Sequence, residues 1–174
     1  MDNIIIRKAT TDDIDSVARL HVKSWKDTYS GIVSKEHIDN MVNNIDKRIE
    51  RMHNEFNLRT MIVATINNKI VGFAEYIDSN KYSSDYDVDC ELCGLYIDKE
   101  YQGKGIGTKL FNYIADSFVK LGKEKMIVWC LEDNIPAIRF YNLVNKGGKP
   151  EFIKEAKIGD KLYNEVGFIY NLRR

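Results

Sequence analysis

The chain has 174 residues, and its 26 Lys and Arg are balanced by 26 Asp and Glu, so no whole-molecule field would draw in nucleic acid or an anionic membrane. That length suits one domain, residues 1–174, burying roughly 70% of the surface its unfolded chain exposes. Ile4, Ile5 and Ile6 form too short an apolar run for a signal peptide or a membrane span, and Cys90, Cys93 and Cys130 are too few for a secreted disulfide framework, so a cytoplasmic protein is expected.

Residues 3–8 read as a strand. Thr10, Thr11, Asp12 and Asp13 then offer capping groups to a helix carrying Ile14, Val17, Ala18, His21, Val22 and Trp25 at helical spacing. A second helix starts after Ser34, with Ile38, Met41, Val42, Ile45, Ile49 and Met52 as its apolar stripe. From Thr60 the period changes. Residues 61–66 and 70–77 are β-rich runs joined by Asn67-Asn68, a pair suited to the positive φ angles of a tight hairpin. Residues 81–87 are polar and loop out, and 88–97 form the next strand.

In that strand Val88, Cys90 and Leu92 alternate onto one face while Leu95 and Ile97 have the opposite parity. Holding all five on one apolar face requires an extra residue near Cys93-Gly94, a bulge that would splay the strand and free backbone groups around Leu95, Tyr96 and Ile97. The rival reading is a strand buried on both faces, for which parity is irrelevant. Ile106, Leu110, Ile114, Phe118 and Leu121 then mark a helix stopped by Gly122. Residues 125–131 read as a buried strand, Asn134 caps a further helix with Pro136 in its first turn, and 149–158 with 161–170 close the chain as a hairpin around Gly159-Asp160.

Between strand 88–97 and the following helix lies Gln102-Gly103-Lys104-Gly105-Ile106-Gly107-Thr108. Alternate glycines let backbone N–H groups approach a phosphate closely, and the helix directs its positive dipole end to the same place, so the loop reads as a diphosphate cradle. The glycine spacing lacks the dinucleotide-binding G-x-G-x-x-G register, and no Gly-Lys-Ser/Thr follows an earlier Gly as a P-loop requires.

Strand, Gln-x-x-Gly-x-Gly loop and the later Asn134-Ile135-Pro136-Ala137-Ile138-Arg139-Phe140-Tyr141, in that order, resemble the acetyl-CoA-binding core of the GNAT superfamily of N-acetyltransferases. The resemblance covers residues 90–141 strongly and the remainder more loosely. It implies an α/β fold, a mixed sheet of about seven mostly antiparallel strands with four main helices, and acetyl transfer from acetyl-CoA to a primary amine by direct attack in a ternary complex. It places the CoA diphosphate on Gln102, Gly103, Lys104, Gly105, Ile106, Gly107 and Thr108, the pantetheine arm or diphosphate region against Asn134, and the general acid that protonates the departing thiolate at Tyr141, while the backbone freed at Leu95, Tyr96 and Ile97 by the expected bulge is where the cofactor arm could lie. A phenol near pKa ~10 is a proton source at neutral pH for a thiolate that takes up a proton near ~8 to 9.

An alkylammonium near pKa ~10.4 must lose a proton before attack, at a cost of about 4 kcal/mol at neutral pH. Glu91, beside the expected bulge and at a position where the family often has a glutamate, is the candidate base, directly or through water; the alternative is a carboxylate on a solvated strand face. Trp25 and Tyr29 fall where the family's first helices border the acceptor site, where aromatic faces hold amines by cation–π contact, while core packing also explains Trp25. Cys90-x-x-Cys93 looks like a metal or redox pair, but strand positions three apart point to opposite faces, no second cysteine pair completes a zinc set, and His21, His37 and His53 lack H-E-x-x-H spacing, so no metal is expected. The expected partners are a small-molecule or peptide amine and optionally a second copy of the chain as a homodimer, with no nucleic acid and no membrane. A non-catalytic acyl-CoA sensor would keep the glycine loop but need neither Glu91 nor Tyr141. Two positions depart from the family pattern: Lys99 replaces a common proline, and the glycine usual four residues after Tyr141 is delayed to Gly147-Gly148.

Overall fold

The computed structural model describes residues 3–173. Seven strands, β1 (Ile4–Lys8), β2 (Thr60–Ile66), β3 (Lys69–Ile77), β4 (Cys90–Ile97), β5 (Lys125–Leu131), β6 (Phe152–Ile158) and β7 (Lys161–Asn171), make one sheet in the order β1-β2-β3-β4-β5-β7-β6. Only β4 and β5 run parallel; every other neighbouring pair is antiparallel. Five α-helices accompany them: α1 (Ile14–Tyr29), α2 (Lys35–Asn43), α3 (Ile45–Asn54), α4 (Ile106–Lys120) and α5 (Ile135–Val144). Among the described residues no helix is long and apolar enough to cross a membrane.

The central strands are buried on both faces because each carries two apolar sets at period two. In β2, Ile62, Ala64 and Ile66 join a core with Leu110, Ile114 and Phe118 of α4, while Met61 and Val63 face Val17 and Leu20 of α1 on the other side. Asn67 and Asn68 take φ of 49° and 63° in the β2–β3 hairpin, the conformation their residue type predicts. Strand β6 lies at the sheet edge, and its alternating half-buried and exposed residues reflect cover on one face alone.

The expected bulge is present. Gly94 pairs with Glu75 and Leu92 with Tyr76, leaving Cys93 without a partner. The extra residue restores parity, so Cys90 and Leu92 before it and Leu95 and Ile97 after it all reach the α4-side core. The long second helix expected after Ser34 is two helices instead. Asn44 sits between them at φ −111°, its side-chain amide donating to the Asn40 carbonyl at 2.9 Å, and this local bonding competes with the helical ladder. Leu121, expected on the buried stripe of α4, caps that helix and is exposed, and the last hairpin begins at Phe152 rather than residue 149.

Helix α1 is launched by a charged knot. Arg7 on β1 donates to both Asp13 oxygens, at 2.7 and 2.8 Å, and the same carboxylate accepts the Thr10 amide at 2.8 Å. Arg7, first, and the Thr10 amide hold the Asp13 carboxyl down at about 2. Because the folded-state pKa is depressed, this contribution is present above pH ~4 and lost as pH falls through about 2. Asp13→Asn should therefore cost about 1 to 2 kcal/mol at pH 7, allowing for screening of the partly exposed Arg7, and the gap from wild type should close in denaturant melts near pH 2.

Candidate active site

Past Leu92, β4 and β5 no longer pair: the parallel ladder joins Cys90–Leu92 to Met126–Val128 and stops. Strand β4 continues alone against β3, leaving its other edge open. Asp98 donates its amide to Val71 of β3 at 2.9 Å. Antiparallel alternation then directs the amides of Leu95 and Ile97 away from β3 into the gap. On the same outward side, the Gln102 side chain donates to the Ile97 carbonyl at 3.3 Å and fastens the next loop to the strand. Asp98 also accepts the Glu100 amide and the Lys23 ammonium of α1, which fixes the turn leaving β4.

That turn delivers the glycine loop. Gly103 and Gly105 have φ of +74° and +76°, and Gly105 is the left-handed N-cap of α4. No atom lies within 4 Å of where a Cβ would stand on either, so backbone conformation alone demands glycine there. None of the six consecutive amides of residues 103–108 bonds to an acceptor among the described residues; the first α4 ladder bond outside the helix proper runs from Lys109 to Gly105. Gly107 has another reason to be glycine. A Cβ there would come within 3.1 Å of the Phe140 ring, so its absence lets α4 approach α5 closely.

The gap and the loop share one cavity of about 460 Å³, lined among others by Tyr29, Leu95, Tyr96, Ile97, Gln102, Gly103, Gly105, Ile106, Gly107, Thr108, Asn134 and Tyr141. The Asn134 side-chain Oδ1 accepts the Ala137 amide at 3.2 Å as the cap of α5, and its Nδ2 donates to the Tyr29 hydroxyl at 3.1 Å. One residue thus ties α5 to α1 across the cavity. Tyr141, on the next turns of α5, is buried, and its carbonyl accepts the Tyr170 hydroxyl at 2.7 Å. Burial drives its phenol well above the ordinary value, so it stays protonated at neutral pH.

Residues 18–143 match the Acetyltransferase (GNAT) family. The chain belongs to this family. It is 31% identical over 139 residues to YuaI, an uncharacterised N-acetyltransferase of Bacillus subtilis, a stretch covering 79% of this chain and 77% of that protein. It is also 31% identical over 135 residues to the spermidine N(1)-acetyltransferase of Thermoplasma acidophilum, covering 74% and 76%. The crystal structure of the PaiA N-acetyltransferase from Thermoplasma acidophilum in complex with coenzyme A shares the fold, with a TM-score of 0.67 at 24% identity over 95% of this chain and 99% of that one.

Two residues expected at the GNAT site, Glu91 and Trp25, lie outside the cavity lining, and a third, Lys104, offers it only backbone. Glu91 does not line the cavity. It is buried, and its Oε1 accepts the Tyr82 amide at 2.9 Å, pinning the polar loop before β4. It precedes the bulge, whereas the cavity is lined by β4 residues beyond it. Lys104 turns its ammonium onto the Tyr101 ring, 4.8 Å from the centroid, so only its backbone belongs to the cradle. Trp25 packs on Tyr29 and His37 behind the cavity wall. In its place Ser24 and Thr28, one helical turn apart on α1, line the cavity, as do Phe140 and Leu143 of α5. The four-residue spacing of Ser24 and Thr28 on a face adjoining Tyr29 was the available signal for them.

Glu91→Gln keeps an oxygen for the Tyr82 amide and should leave kcat within about threefold of wild type, whereas loss of a general base would lower it by about 10²-fold or more. Glu91→Ala should instead appear as about 1 to 2 kcal/mol of lost stability in thermal melts.

Proposed function

We propose that the protein transfers the acetyl group of acetyl-CoA to a primary amine by direct attack in a ternary complex. The observation that carries this reading is the run of unbonded amides at 103–108 opening into the cavity that Tyr141 and the free edge of β4 also line. A diphosphate suits that run, since closely spaced N–H donors at a helix N-terminus stabilise a compact anion without a lysine. An extended amide-bearing arm suits the unpaired β4 edge, where it can bond as a strand would. The thioester supplies an activated acyl group with a thiolate leaving group.

The chain's own groups would do the rest. The Leu95 and Ile97 amides face the gap and can receive charge building on the acyl oxygen, a fixed-dipole stabilisation that needs no side chain. Tyr141 can give its proton to the departing sulfur. Burial weakens the phenol as an acid, yet the same dry surroundings raise the thiol's pKa, so proton transfer still runs between groups of comparable strength. Asn134 and Tyr29 hold α5 against α1 and so set where Tyr141 stands. Glu91, outside the cavity lining and with Oε1 accepting the Tyr82 amide, would assist deprotonation of the amine only through water.

Tyr141→Phe should lower kcat by about 10²-fold in a thiol-release assay over a panel of amines, while calorimetric affinity for acetyl-CoA stays within about twofold. Unchanged turnover would remove Tyr141 from the reaction, and tight acetyl-CoA binding without transfer to any amine would replace the enzyme with a sensor. Because the phenol is held well above its usual value, the wild-type kcat/KM profile should rise with pH as the amine deprotonates and show no falling limb from Tyr141 below pH ~10.

A further inference from the structure

A second cavity, of about 400 Å³, lies on the α1 and α3 side of the sheet and shares no lining residue with the first. Its walls carry Arg48, Arg51 and Arg59 against Glu55 and Glu75, with Tyr82 at one side. Arg59 reaches Glu75 at 3.5 Å. Arg48 and Arg51 form no ion pair among the described residues, and the Arg48 Nε is buried with no hydrogen-bond partner among them. A buried guanidinium nitrogen such as the Arg48 Nε normally has a partner, because a desolvated charge without one is costly. Burial, first, and the neighbouring Arg51 push the Arg48 pKa down against the opposing pull of Glu75 and Glu55, which face the same space.

Tyr96 lines the first cavity and lies near the charged groups of the second. Its ring lies 4.5 Å from His21 and 5.1 Å from Phe73, while its hydroxyl comes within 3.3 Å of where a Cβ on Gly94 would stand. Gly94 is paired with Glu75, a wall of the arginine cavity. His21 Nδ1 and Ser24 Oγ, on α1, are also buried without partners among the described residues. Buried polar atoms without partners on the α1 stretch beside Tyr96 suit a polar ligand bound on this side of the sheet.

We propose that the arginine cavity is the acceptor pocket, and that Arg48 and Arg51 bind the carboxylate of an amine acceptor that carries one. The inference rests on the acetyltransfer reading and narrows its acceptor to amino-acid-like or peptide-like amines. It separates this chain from its relative named for spermidine, since a polyamine would bring further positive charge to a wall with three guanidiniums against two carboxylates.

The test uses two probes of equal length, 5-aminopentanoate and 1,5-diaminopentane, titrated calorimetrically into CoA-saturated protein. The aminocarboxylate should bind at least tenfold more tightly than the diamine, and R48Q/R51Q should abolish that preference while leaving CoA affinity within about twofold. Arg51 is exposed, so the single variant R51Q, expected to lose about threefold to tenfold, serves if the double variant fails to fold. Equal or tighter diamine binding, no binding of either probe, or a preference unchanged in the variants overturns the proposal. Thiol release measured on the same samples separates the two readings: the expected binding pattern without acetyl transfer leaves the pocket assigned and removes the enzyme.

Discussion

One unpaired residue organises this molecule. Cys93 has no partner on β3, and the bulge it makes turns β4 so that its apolar side chains stay on the α4-side core while its backbone parts from β5. Burial of Leu95 and Ile97 against that core stabilises the bulge, since a register without it would turn both toward the opposite face. The same packing leaves two main-chain amides aimed at open space. A sheet that paired β4 with β5 along its whole length would have no such gap, and the glycine loop at the end of β4 would open onto solvent alone.

Around that gap the fold uses polar contacts as struts. Asp98 joins the end of β4 to Lys23, Asn134 joins α5 to Tyr29, and Tyr170 holds the carbonyl of Tyr141. Each strut has a member in or next to the cavity and a member on a different element, so the positions of the amide donors and of the phenol are coupled to the packing of both helical layers. The glycines divide the labour. Gly103 and Gly105 supply left-handed backbone, Gly107 supplies a close helix contact with Phe140, and Gly94 leaves room for the Tyr96 ring to fold back over the strand.

Much of the fold was legible along the chain because the signals are local. The Asn67-Asn68 turn, the Asn134 cap, strand β5 and the parity break at Cys93 each depend on residues a few positions apart, and each lies where its residue types place it. Asn44 escaped notice because an apolar stripe at three and four spacing continues straight through it, and the competing bond to Asn40 is a side-chain event that periodicity does not register. Glu91 and Trp25 are placed at the site by the family resemblance and, for Glu91, by its position beside the bulge. Their surroundings are set by Tyr82 and His37, nine and twelve positions away, through contacts that neither spacing nor residue type announces.

The sequence by itself determined the strand order, all the helices but the break at Asn44, a parity break at Cys93-Gly94 that the bulge resolves, and a glycine-rich loop suited to left-handed backbone at Gly103 and Gly105, because period, parity and φ preference are properties of short stretches of chain. Tertiary structure alone decided which side chains share a cavity. It brought Tyr29 of α1 to Asn134 of α5, set Tyr141 beside the free edge of β4, sent Glu91 to a loop instead, and gathered Arg48, Arg51 and Arg59 about Glu75. Those meetings depend on how elements more than a hundred residues apart in the widest case pack across a sheet, which no local pattern encodes.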